Sequence, residues 1–91
     1  MARYHFNVED GQKYPDDEGS EFPDLESVRN EAVRRSGVLL RDHSESFWSG
    51  QGWRLVVTDS VGMIMFTLHF LAVSSPATVT YGARVIPSVI G

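Results

Sequence analysis

Residues 60–83 contain no Asp, Glu, Lys or Arg, and inside them the run Ile64-Met65-Phe66-Thr67-Leu68-His69-Phe70 alternates with a period of two. Ile64, Phe66, Leu68 and Phe70 share one side of an extended chain, the mark of a strand with one face in a core. The opposite side carries Met63, Met65, Thr67, His69 and Leu71, which is too apolar for open water. A membrane-spanning helix needs about 20 apolar residues. This apolar stretch is shorter, contains Thr67 and His69, and ends at Ser74-Ser75-Pro76, so no membrane span is expected. The strand therefore needs a core on one side and a cover on the other.

The remaining elements can be placed around it. Tyr4, Phe6 and Val8 alternate with Arg3, His5 and Asn7, a half-buried strand. Asp10-Gly11 tolerates the positive φ of a tight turn, and a weak partner strand over Gln12–Tyr14 stops at Pro15. Pro23-Asp24 opens a helix with Asp24 as N-cap. Leu25, Val28, Ala32, Ser36 and Leu39 form its apolar stripe, widened by Val33 and Leu40, to about Arg41. Glu31 precedes Arg35 by four residues, the favourable order for an ion pair. A polar loop covers His43–Gly52. Trp53, Leu55 and Val57 make the next strand, and Asp59-Ser60-Val61-Gly62 turns the chain into Ile64–Phe70. The order is ββαββ: an α+β domain with a mostly antiparallel four-stranded sheet and one helix on one face. It spans residues 3–73. The tail, 74–91, is β-branched and poor in charge, and serves as an extra strand, a cover or an oligomerisation segment.

Charge and composition exclude several classes. Eight basic against twelve acidic residues give a net charge of −4, which repels phosphate backbones and disfavours nucleic acid. The absence of cysteine removes disulfides, thiolate metal sites and thiol nucleophiles. The opening MARYHFNVED has no long apolar stretch of a secretory signal, which favours the cytoplasm.

Arg3-Tyr4-His5-Phe6, Asp10-Gly11, Asp16-Asp17-Glu18-Gly19 and Glu21-Phe22-Pro23-Asp24-Leu25 resemble the opening of a family of small proteins from rhizobia and related alphaproteobacteria. Val57-Thr58-Asp59 to Gly62 and Thr67-Leu68-His69-Phe70 fit the same pattern, so the resemblance spans about Arg3 to Val73. That family is a domain of unknown function. The resemblance implies a fold and a bacterial origin, and brings no catalytic residue with it.

The acidic segment Tyr14–Ser27 poses the main question of chemistry. An EF-hand loop centred on Gly19 would place Leu25 where a bidentate glutamate belongs, so that pattern fails. Asp16, Asp17, Glu18 and Glu21 remain as a looser divalent-cation or small-molecule site, the alternative function. The structural reading starts from Arg29, about 40° from Leu25 on the helical wheel and inside the apolar stripe. A buried guanidinium needs an acceptor, so Arg29 is expected to pair with Asp17 or Glu18 and pin the loop to the helix.

Other constellations carry less. His5 and His69 lie on the outer sides of their strands and would meet if those strands were neighbours; His43 suits the negative end of the helix. Gly50-Gln51-Gly52 has Leu55 where a dinucleotide fingerprint needs its third glycine, and no nucleophile elbow or phosphate loop is present. Arg34 and Arg41 read as a solvated helix face. No cofactor or catalysis is expected. The expected role is a small non-catalytic cytoplasmic interaction or regulatory domain acting through the uncovered sheet face and the tail, as a homodimer or on a protein partner, with Met63, Met65, His69, Leu71 and Trp48 as contact residues.

Overall fold

Alternation at the start of the chain produces the first strand, β1 (Ala2–Glu9). Phe6 faces inward at 5% exposure, with Tyr4 and Val8 packed beside it. In the computed structural model, which describes residues 1–48, 52–73 and 75–77, β2 (Lys13–Tyr14) and β3 (Ser20–Phe22) follow. Next come helix α1 (Leu25–Asp42), a single turn α2 (Ser44–Phe47), β4 (Trp53–Asp59) and β5 (Ile64–Phe70). The tail beyond Ala77, and with it the expected extra strand, lies outside the described residues. Among the described residues, no helix is long and apolar enough to cross a membrane.

The architecture is α+β, with the order β2-β1-β4-β5 and every pairing antiparallel. The short β3 pairs with the beginning of β1 and was not expected from the sequence. Gly11, at φ 100°, makes the β1–β2 turn, closed by Asp10 N–H to the Gln12 carbonyl at 3.0 Å. At the β4–β5 turn one carboxylate oxygen of Asp59 accepts N–H bonds from Val61 and Met63 at 3.0 and 2.9 Å.

Helix α1 starts where a side chain can replace missing backbone acceptors. Asp24 is extended, and its Oδ1 accepts from Ser27 N at 2.7 Å. The helix ends where His43 N donates to the Leu39 carbonyl at 2.9 Å. Its buried residues Val28, Ala32 and Ser36 are spaced by four, and Val28 and Ala32 join Phe6, Leu55 and Val57 of the sheet in one core. Contact along an i, i+4 ridge drifts by about 40° per step. The buried direction at the first turns is therefore that of Val28, and Arg29 and Val33 each lie about 100° round from a buried neighbour. Both are exposed, which corrects the expected inward placement of Arg29 and the widening of the stripe at Val33.

Strand β5 also departs from strict alternation. Phe66 pairs with Val57, but Ile64 pairs with Thr58, so β5 carries one extra residue, Met65. A bulge of this kind resets the facing of what precedes it. Ile64 is 62% exposed, and does not share the inward face of Phe66 and Leu68.

Ser36 is the one buried polar residue among those described, and its hydroxyl has no hydrogen-bond partner there. An unpaired buried hydroxyl is destabilising, and alanine is the better helix former. Ser36→Ala should therefore raise stability by about 1–2 kcal/mol, read as a higher melting temperature. A fall in melting temperature would show that the hydroxyl holds a bond in solution.

Candidate functional site

On the side of β1 away from β4, β3 pairs with Ala2–Tyr4 and β2 pairs with Val8 and Glu9. His5, Phe6 and Asn7 lie in the gap between them, and the acidic loop fills it. Asp16 Oδ2 accepts from Phe6 N at 3.1 Å, while its Oδ1 accepts from Gly19 N at 3.0 Å. In the other direction Asp16 N donates to Asn7 Oδ1 at 2.9 Å. His5 Nδ1 sits 2.6 Å from the Asp16 carbonyl oxygen, an approach that puts the ring proton on Nδ1. Asn7 then reaches β4 through Nδ2, donating to the Val56 carbonyl at 3.0 Å and to Thr58 Oγ1 at 3.3 Å. Gly19, at φ 72°, completes the loop. A Cβ there would meet Arg3 and His5 side-chain atoms at 2.9 Å, so a larger residue would push the loop off the strand.

This geometry sets the electrostatics of Asp16. Partial burial pushes its carboxyl upward, but the N–H bonds from Gly19 and Phe6 outweigh that and hold it below the usual carboxylate range. Glu31 is more strongly held. The hydrogen bond from Arg34, opposed by burial and reinforced by Arg35, lowers it from 4.5 to about 2. Its distances to the two guanidinium groups are both 2.6 Å.

The four loop carboxylates do not converge. Asp16 turns inward, Asp17 and Glu18 are exposed, and Glu21 faces Arg3 at 3.7 Å. Among the described residues no group of three or more metal-binding side chains forms. The expected Arg29 pairing is corrected as well: no hydrogen bond or ion pair joins Arg29 to Asp17 or Glu18. Two other arginines do the fastening. Arg3 Nη1 donates to the Glu18 carbonyl at 2.8 Å. Arg35 lies 4.2 Å from the centre of the Phe6 ring and donates to Ser20 Oγ at 3.3 Å, tying the helix to β3. Sequence reasoning placed Arg35 only in its pair with Glu31.

His5 and His69 stay apart. Strand β4 separates β1 from β5, with His5 opposite Thr58 and His69 opposite Arg54. His69 is exposed, whereas His5 is half-buried in the loop network.

The expected contact residues are exposed but do not form one patch. Met63, Ile64 and Met65 are 64%, 62% and 39% exposed at the β4–β5 turn end of the strand. Leu71, 70% exposed, follows its other end, roughly 25 Å away at the rise of an extended chain. Trp48, 66% exposed, stands edge-on to Phe47 just after α2. What links the members on β5 is the strand itself. Among the described residues it pairs only with β4, so its other edge presents a row of backbone donors and acceptors. No charged side chain interrupts that edge from Ser60 to Phe70.

A family model described as a domain of unknown function (DUF6894) matches residues 3–71. The chain belongs to this family. No curated protein and no solved structure matches it.

Asp16→Asn should lower stability at neutral pH by about 1.5–3 kcal/mol, as expected for losing hydrogen bonds to an ionised acceptor. A carboxylate whose folded pKa is depressed adds stability above its unfolded pKa, and that stability is lost as pH falls through the folded value. The gap between wild type and variant, measured by urea unfolding, should therefore close as the solution is acidified below the ordinary 3.8 of aspartate. For Glu31→Gln the same convergence should run from pH 4.5 down to about 2. A gap independent of pH would show that charge plays no part in either contact.

Proposed function

We propose that this member of the DUF6894 family is a non-catalytic interaction or regulatory domain, covering residues 3–73, whose first partner is a second copy of itself. The observation that carries this reading is the charge-free edge of β5, unpaired among the described residues, with Met63, Ile64, Met65 and Leu71 exposed along it. Two β5 strands placed antiparallel across a two-fold axis satisfy each other's backbone groups. They bring no like charges together, although the chain as a whole carries −4. Burying roughly 400 Å² of apolar surface would contribute on the order of 10 kcal/mol before association costs.

The residues expected to make contact are Met63, Met65, His69 and Leu71, with Trp48 at the periphery and the tail, 74–91, as an extension of the surface. The cation-binding alternative has less support, because both oxygens of Asp16 already accept backbone N–H groups. A cytoplasmic setting fits a chain without cysteine. An origin in rhizobia or related alphaproteobacteria rests on the motif resemblance from Arg3 to Val73.

Sedimentation of the full chain should show a concentration-dependent dimer. Met65→Lys should weaken it by at least tenfold, about 1.4 kcal/mol, without lowering the melting temperature of the monomer. A chain that sediments as a monomer at every concentration, or a dimer indifferent to Met65→Lys, would overturn the proposal.

A further inference from the structure

A hollow of about 590 Å³ lies where the end of α1, the turn of α2, the β1–β2 turn and the start of β4 come together. That volume falls within the roughly 300–1,000 Å³ usual for small-molecule sites. No residue of β5 lines it, so it is separate from the docking edge proposed above. Tyr14, Phe47 and Trp53 supply aromatic walls. Trp53 is held in place by Phe70, their rings 4.6 Å apart and inclined at 31°, so that wall is already set before any ligand arrives.

The electrostatics of the hollow select among ligands. Among the described residues, Asp10 is the only Asp, Glu, Lys or Arg in its lining. One of its oxygens accepts from Gln12 N at 3.2 Å, and among the described residues the other has no partner. The C-terminal end of α1, capped by His43 in the same lining, adds the negative pole of the helix. Arg41, the basic residue of the last turn, is paired with Asp42 at 3.2 Å. An anion would be repelled here, and a neutral apolar guest would strip water from Asp10 without giving it a partner. An ammonium ion with an apolar shell answers both the carboxylate and the aromatic lining. We infer that this hollow is a binding site for a small organic ammonium ion, held between Tyr14, Phe47 and Trp53 with Asp10 as its counter-charge.

The test compares choline with neohexanol, in which carbon replaces the charged nitrogen, by amide and indole chemical shifts of the full-length protein. Choline should move the resonances of Leu39, His43, Gly52 and the Trp53 indole. Neohexanol should bind about tenfold more weakly, the factor expected for a cation between aromatic faces. Asp10→Asn keeps the acceptor used by Gln12 N, so it should fold normally, yet weaken choline about fivefold without weakening neohexanol. Phe47→Ala should weaken choline as well. Equal affinity for the two probes, no effect of Asp10→Asn on choline, or no choline-dependent shift at these positions would overturn the inference. Met65→Lys should leave choline binding intact, which separates this result from the fate of the dimer.

Discussion

The hydrogen bond from Phe6 N to the Asp16 carboxylate is the contact on which the arrangement of the N-terminal half depends. Strand β1 is central to the sheet, yet on one side it has only two short partners, with a three-residue gap between them. A backbone N–H left unpaired in that gap would be destabilising, because Phe6 is buried. The carboxylate stands in for the absent rung of the ladder. Its other oxygen takes Gly19 N, so the bond that completes the strand also folds the loop. From there Asn7 carries the connection to β4, and Arg35 carries it to the helix through Phe6 and Ser20. A segment with five carboxylates over residues 14–24 is in this way a structural brace.

Long periodic elements were legible in the sequence for plain physical reasons. Phe6, Leu55, Val57, Phe66 and Leu68 alternate because a strand presents every second side chain to the helix. Asp24 was recognisable because a carboxylate after Pro23 meets the free N–H groups of a first turn. The failures arose where facing depends on three-dimensional drift. A fixed wheel put Arg29 inside the stripe, but the buried line follows the Val28–Ala32–Ser36 ridge and leaves it outside. Alternation put Ile64 inward, but one inserted residue at Met65 reverses it. Neither signal is local, since each is fixed by what lies across the contact.

The loop was half legible. Its role as a joint between hairpin and helix could be read from its position, but the positive φ of Gly19 emerged only in the structure. Which arginine would hold it could not be read. Arg3 acts on the Glu18 backbone carbonyl, and no sequence pattern of charges encodes a backbone acceptor. The aromatic hollow was similarly invisible, because Tyr14 stands far before Phe47 and Trp53 in the chain and meets them only through the fold.

The two margins of the sheet differ in kind. One is stoppered by a folded loop and its carboxylate, and the other, among the described residues, runs unpaired along β5. Fibril growth needs a particle that can add neighbours on both flanks, whereas among the described residues the long charge-free edge lies on one flank and the opposite flank is broken into the short β2 and β3. The molecule thus carries a built-in limit on stacking. Opening the N-terminal loop would remove that limit and leave a short β-rich chain free to polymerise.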